Sequence, residues 1–141
     1  MKVRIKKLHS DATIPTYAKD GDAGMDLTTV SEPKITETYI EYDTGLAMEI
    51  PKGYVGLLFP RSSVSKTNLV LANCVGVVDS GYRGPVKLRF KELGENPALR
   101  YRINERVGQI IIMPVPNFEF EQVDELTNTS RGEGGFGSTG N

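Results

Sequence analysis

Short stretches in which apolar and polar side chains alternate recur along the whole chain, and helical periodicity is nearly absent. Lys2-Val3-Arg4-Ile5-Lys6, Ile35 to Ile40, Leu46 to Ile50, Val86 to Phe90 and Phe118 to Glu121 each place apolar side chains on one face and polar ones on the other. That period predicts half-buried strands. Tyr54 to Phe59 adds another apolar run, and Gln109-Ile110-Ile111-Ile112-Met113 is continuous enough to predict a strand buried on both faces. Turn-forming clusters punctuate the runs at Asp20-Gly21-Asp22, Pro51-Lys52-Gly53, Ser80-Gly81, Gly94-Glu95-Asn96-Pro97 and Asn104-Glu105. The predicted helix content is a turn or two within Ser63 to Asn68. Many short, regularly punctuated strands predict an all-β sandwich or a jelly-roll-like barrel.

Composition narrows the classes of function. A chain of 141 residues with 38% hydrophobic and 25% charged side chains fits one domain with a real core, not a disordered chain. No apolar run approaches the ~20 residues that a spanning helix requires. The opening MKVRIKKLHS is basic but is not followed by an apolar stretch, so it predicts a first strand rather than a secretory signal. With 17 basic against 18 acidic side chains, broad electrostatic binding to nucleic acid is not expected. An anionic ligand would need a few well-placed cations. A single cysteine, Cys74, fits a reducing, cytoplasmic setting and is expected to be a buried, inert thiol. His9 has no ligand-spaced partner and is expected to be structural. Tyr39 and Tyr42 are expected to pack on a sheet, and Glu119, Glu121, Asp124 and Glu125 to form a solvated strand face.

The chain divides at residue 126. In 127–141 the one large apolar side chain is Phe136, and five of the last eleven residues are glycine. Such a segment cannot bury enough surface to offset its ordering entropy and predicts a flexible arm on a domain spanning 1–126. It nevertheless carries Arg131, Phe136, Ser138 and Thr139, a cation, an aromatic face and hydroxyls among unhindered backbone N–H groups. This set suits a segment that orders over a phosphate-bearing aromatic ligand. It is not a P-loop, because no lysine precedes the Ser/Thr pair and no room remains for the following helix.

Two further constellations carry candidate chemistry. Pro60-Arg61-Ser62-Ser63 follows an apolar run and opens the predicted helix, so it offers an arginine, two hydroxyls and helix N–H groups to a phosphate. The plainer reading is an exposed N-cap. In Gly76-Val77-Val78-Asp79-Ser80-Gly81-Tyr82-Arg83-Gly84, apolar pieces flank an Asp-Ser-Gly-Tyr turn, which predicts a β-hairpin presenting a backbone edge and a carboxylate. Asp79 as a mere turn-former is equally compatible with that pattern.

Taken together, Ala23-Gly24-Met25-Asp26-Leu27, Pro60 to Ser63, Gly76 to Gly84, Arg106-Val107-Gly108-Gln109 and Arg131 to Gly140 resemble the five ordered motifs of the trimeric dUTPases. The motifs span residues 23–140. Two positions depart from the common pattern: Ser63, where glycine is frequent, and Gly108, where alanine is frequent. The resemblance implies a jelly-roll-like distorted β-barrel of the β-clip type with one very short helix and a flexible Gly-rich C-terminal arm. It implies hydrolysis of dUTP to dUMP and pyrophosphate, which limits uracil incorporation into DNA and supplies dUMP for thymidylate synthesis. It further implies a homotrimer whose active sites are shared between subunits, with neither nucleic acid nor membrane as partner.

The implied roles are specific. Asp79 matches the catalytic aspartate that activates water for attack on the α-phosphorus. Ser62 matches the serine near the α/β bridging oxygen, and Gln109 the glutamine at the α-phosphate or its water. Arg61, Ser63 and Arg131 are expected on the phosphates. Asn73 and the backbone of Gly76, Val77, Val78 and Asp79 are expected on the uracil edge, with Tyr82 beneath the sugar and Lys87 within reach. Phe136, Gly137 and Ser138 would close over the ligand. Mg²⁺ would be chelated mainly by the substrate triphosphate, with Asp26 touching it through water. A dCTP-acting relative, a non-catalytic nucleotide-binding module and a purely structural trimer are the competing readings.

Overall fold

A computed structural model describes residues 1–94 and 96–135. Nine strands are present: β1 (Arg4–Lys7), β2 (Met25–Thr28), β3 (Lys34–Ile35), β4 (Ile40–Glu49), β5 (Tyr54–Phe59), β6 (Leu69–Leu71), β7 (Gly76–Val78), β8 (Pro85–Glu92) and β9 (Arg106–Pro114). Two single-turn 3₁₀ helices, Ser62–Lys66 and Pro97–Leu99, complete the regular structure. One antiparallel sheet runs β1-β4-β8-β6 with β3 on β4, and the other runs β2-β9-β5-β7. The two sheets form the all-β, jelly-roll-like architecture that the alternating runs predict.

The side chains that the two-residue period aims inward fill the space between the sheets. Leu27, Tyr42, Leu46, Ile50, Val86, Leu88, Phe90, Val107 and Ile110 are all buried. Tyr42, Phe90 and Tyr101 meet edge to face with centroids 5.6–6.0 Å apart, the offset geometry that aromatic quadrupoles favour. Burial pushes the Tyr42 hydroxyl up to about 12, even though it donates to the Tyr101 carbonyl at 3.3 Å.

Gly108 lies where β9 crosses this core. A Cβ there would collide with Leu88 Cδ2 and sit 3.0 Å from the Phe59 carbonyl oxygen. Leu88 is itself fully enclosed, so it has nowhere to retreat. Gly108→Ala is therefore expected to lose about 1–3 kcal/mol, as overpacking does, read as an earlier urea midpoint at unchanged slope.

Several expectations are corrected. Ile35 to Ile40 is not one strand: Thr36 Oγ1 donates to the Tyr39 carbonyl at 2.9 Å and accepts from Tyr39 N–H at 3.0 Å, folding the chain back so that Ile35 faces Ile40. Hydroxyl capping of that turn outweighs the alternation. Phe118 to Glu121 alternates but forms no strand, and Phe118 and Phe120 are 80% and 99% exposed, because no strand among the described residues pairs with them. Gln109 to Met113 is covered on one face only, leaving Met113 exposed. Cys74 is exposed, with φ +60° in the tight turn between β6 and β7. Finally, β7 and β8 are not a hairpin: β7 pairs β5, whereas β8 pairs β4 and β6 in the opposite sheet.

Candidate active site

Two concavities gather the candidate residues. In the first, the ladder places Asp26 opposite Gln109, and Gln109 opposite Phe59. The chain leaves β5 at Phe59, so Pro60 to Ser63 arrive at the same end of the sheet. Arg61 Nε donates to Asp26 Oδ1 at 2.7 Å, and Arg106 Nη1 donates to Asp26 Oδ2 at 3.0 Å. One carboxylate thus fixes two guanidinium groups. Gln109 Nε2 donates to the Pro60 carbonyl at 3.0 Å, and its Oε1 lies where a Cβ on Gly24 would be, so only glycine at 24 lets the amide in. Ala23, Gly24, Asp26, Arg61, Ser62, Arg106 and Gln109 line a cavity of about 340 Å³. It is a small, polar space in which two arginines, balanced by Asp22 and Asp26, offer donors suited to phosphate oxygens. The helix beginning at Ser62 is a single 3₁₀ turn, too short to sum a useful dipole, so charge here comes from the arginines.

The second concavity, about 770 Å³, is lined by Asn73, Gly76, Val77, Val78, Asp79, Tyr82 and Lys87 among others. β7 ends the order of its sheet, so among the described residues one backbone edge of Gly76–Val78 pairs with no strand. Tyr82 N–H donates to the Asp79 carbonyl at 3.0 Å, Arg83 Nη1 to the Ser80 and Tyr82 carbonyls at 2.7 and 2.8 Å, and the Tyr82 hydroxyl to the Pro85 carbonyl at 3.0 Å. These bonds stiffen the turn and set the Tyr82 ring beside the free edge, with Asp79 exposed next to it.

On the far wall, Lys87 pairs with Glu41 at 3.0 Å and Asp43 at 3.4 Å, and Arg89 pairs with Glu41 at 2.7 Å while stacking on Tyr39. Burial works to raise the Glu41 pKa, but hydrogen bonds and charge from Lys87 and Arg89 outweigh it, and the carboxyl sits below its ordinary 4.5. A depressed carboxylate contributes stability above its unfolded pKa and loses it as pH falls through the folded value. Lys87→Ala is thus expected to cost about 1–3 kcal/mol at pH 7, with the deficit shrinking below about pH 4.5 as Glu41 protonates. Urea unfolding at pH 7 and pH 3.5 reads this; an equal deficit at both would refute it.

The two concavities share no lining residue. Asp26 and Asp79 lie at opposite edges of one sheet, three inter-strand steps apart and displaced along the strands. At roughly 4.8 Å per step and 3.3 Å per residue, they are separated by about 20 Å. Arg131 is further along the exposed C-terminal segment, in a turn where its Nε donates to the Gly134 carbonyl at 3.0 Å. Phe136, Gly137 and Ser138 lie outside the described residues.

The dUTPase family model matches residues 10–140. The chain belongs to the dUTPase family. It is 40% identical over 147 residues to the deoxyuridine 5'-triphosphate nucleotidohydrolase of Escherichia phage T5, covering 98% of each chain. A mutant of the Staphylococcus bacteriophage 80alpha dUTPase, solved with dUpNHpp, superposes with a TM-score of 0.81 at 29% identity, covering 99% of this chain and 98% of that one. A mutant dUTPase from phage phi11 of S. aureus, in which coordination of a structural Mg(II) ion was described, gives 0.70 at 28% identity, covering 89% of this chain and 98% of that one.

In this dUTPase-family chain, sequence reasoning overlooked Arg106 as the second guanidinium on Asp26, although it opens the fourth motif. Tyr101, which sequence reasoning did not single out, is buried beside Ser63 and Arg61. Among the described residues no three His, Cys, Asp or Glu side chains cluster as a metal cage, and no helix is long and apolar enough to cross a membrane.

Proposed function

We propose that the chain hydrolyses dUTP to dUMP and pyrophosphate at sites assembled from different copies of itself, with Asp79 from one copy facing the Arg61–Ser62–Gln109 cradle of another. The observation that carries this reading is the separation of the two concavities. A water-activating carboxylate must stand within one hydrogen bond of the attacking water, and within one chain Asp79 is two inter-strand steps and four residues along the sheet from Gln109, about 16 Å, which does not allow it. Closing the gap with a second copy puts each half of the motif set to use. Homotrimeric assembly also accounts for apolar surface that one chain leaves bare: Phe118, Phe120 and a groove of about 430 Å³ lined by Val3, Ile5, Tyr17, Met25, Met48 and Ile112.

The chemistry follows from the donors present. Asp79 takes a proton from water as its oxygen attacks the α-phosphorus, and the bond from that phosphorus to the α/β bridging oxygen breaks. Ser62 stabilises the departing pyrophosphate, Arg61 and Arg131 hold phosphate charge, and Gln109 retains one amide N–H for the α-phosphate. The donor set fits a magnesium ion carried in by the triphosphate: Asp26, whose oxygens already accept from two arginines, would touch it only through water. Bound there, Mg²⁺ neutralises charge on the phosphate oxygens. The free edge of β7 offers fixed donors and acceptors to uracil, and cytosine reverses two of them, a mismatch worth ~10⁴-fold in rate. Tyr82 beneath the sugar excludes a ribose hydroxyl.

Pyrophosphate release from dUTP, dCTP, dTTP and UTP with Mg²⁺ tests the proposal. Release from dUTP alone is expected. Comparable release from dCTP would overturn the reading of the β7 edge, and dUTP binding without release would make the protein a nucleotide-binding module.

A further inference from the structure

We propose that Ser63 and Tyr101 form a positioning relay that fixes the Arg61 guanidinium against the aromatic core; the inference rests on the reading of Arg61 as a phosphate ligand. Two nitrogens of Arg61 are already held: Nε by Asp26 at 2.7 Å, and Nη1 by the Ser63 hydroxyl oxygen, to which it donates at 3.2 Å. That leaves both Nη2 hydrogens and one on Nη1 to meet an anion. A serine oxygen with one lone pair used by Arg61 keeps a second lone pair and a proton.

Tyr101 supplies the partner for them. It is only 7% exposed, its ring is wedged edge to face against Tyr42 and Phe90, and its hydroxyl is buried with no hydrogen bond of good geometry among the described residues. It lines one cavity of about 490 Å³ together with Ser63 and Arg61. Burial raises its pKa, and the nearby Ser63 hydroxyl and Arg61 charge pull against that rise. A buried hydroxyl that bonds to nothing costs stability, and phenylalanine would fill the same space without that cost. Closing the Ser63 hydroxyl onto the Tyr101 phenol satisfies both, since a serine oxygen that accepts from Arg61 can still donate or accept once more. The 3₁₀ turn that carries Ser63 is closed locally, by the Val64-to-Arg61 and Thr67-to-Val64 backbone bonds and by the Ser65 and Thr67 hydroxyls, which donate to the Ser62 and Val64 carbonyls at 2.9 and 2.7 Å. The relay therefore references the guanidinium to the ring cluster, which is rigid, instead of to a short surface turn.

The test uses the full chain as Ser63→Ala, Ser63→Thr, Tyr101→Phe and the Ser63→Ala/Tyr101→Phe double variant. Three quantities are read: kcat and KM for dUTP, the Kd for inorganic tripolyphosphate, and the thermal midpoint. Ser63→Ala and Tyr101→Phe are each expected to raise KM and the tripolyphosphate Kd by about three- to tenfold, the loss of one hydrogen bond to a charged network. The double variant is expected to be no worse than either single one, and Ser63→Thr to stay within about twofold of the parent, because it keeps the hydroxyl. Effects that multiply in the double variant, or a Tyr101→Phe that changes only the thermal midpoint, would overturn the relay. Absence of dUTP turnover by the parent protein would instead refute the proposed reaction, and the tripolyphosphate affinities would still decide the relay.

Discussion

Asp79→Asn is expected to lower kcat for dUTP by about 10²–10⁴-fold, the usual worth of a general base, while KM stays within a few-fold of the parent value. The substitution preserves size and hydrogen bonding but removes the group that accepts the proton. The side chain is exposed on a turn closed through its carbonyl, not its carboxylate, so the fold does not depend on the charge. Pyrophosphate release under single-turnover conditions measures the loss directly, and a variant with near-parental kcat would remove Asp79 from the mechanism. The same variant probes assembly. Mixed by co-refolding with Arg61→Ala, itself inactive, it is expected to regain about a quarter of parental activity at equal proportions. In a random symmetric mixture, about one site in four receives an intact Asp79 from one copy and an intact Arg61 from another. No recovery would mean that each site is built within one chain.

Deletion of 127–141 is expected to leave a folded protein with activity reduced about a hundredfold or more. Among the described residues the buried cluster contains none beyond the last strand, and the described part of this segment is largely exposed and lacks strand or helix. Its loss should therefore leave the urea midpoint within experimental scatter. What it removes is Arg131, the proposed phosphate cation, together with an aromatic ring that would shut water from the reacting phosphate. A truncated protein with full turnover would show that the arm is dispensable, and one that fails to fold would show that it belongs to the core.

How far the sequence could be read depended on where the information lay. The two-residue alternation of Leu46 to Ile50 and Val86 to Phe90, and the apolar run from Tyr54 to Phe59, exposed β4, β8 and β5, because each packs its apolar side chains into the chain's own core. Strands of three or four residues, β2, β6 and β7, are too short for any period to register. The change of sheet between β7 and β8 was invisible for a different reason: a tight Asp-Ser-Gly-Tyr turn looks alike whether it joins neighbours in one sheet or bridges two. Phe118 to Glu121 shows the opposite failure, since alternation states that a face wants covering without saying which molecule covers it. The phosphate cradle was legible as separate motifs, but the Asp26 carboxylate gripping both Arg61 and Arg106 depends on a ladder between residues 80 positions apart. Tyr101 gave no signal at all, because nothing local distinguishes a tyrosine at a loop exit from one wedged into an aromatic cluster.

The unpaired edge of β7 bears on how such a protein can change over generations. A base read by main-chain amides and carbonyls is read by atoms that every amino acid except proline supplies, so point substitutions at an exposed position such as Val77 leave the pattern of donors and acceptors in place. Selectivity of this kind resists gradual drift. It is lost by insertion, deletion or a proline that shifts the strand, and new base preference therefore has to arise by remodelling the loop that holds the strand, not by exchanging its side chains.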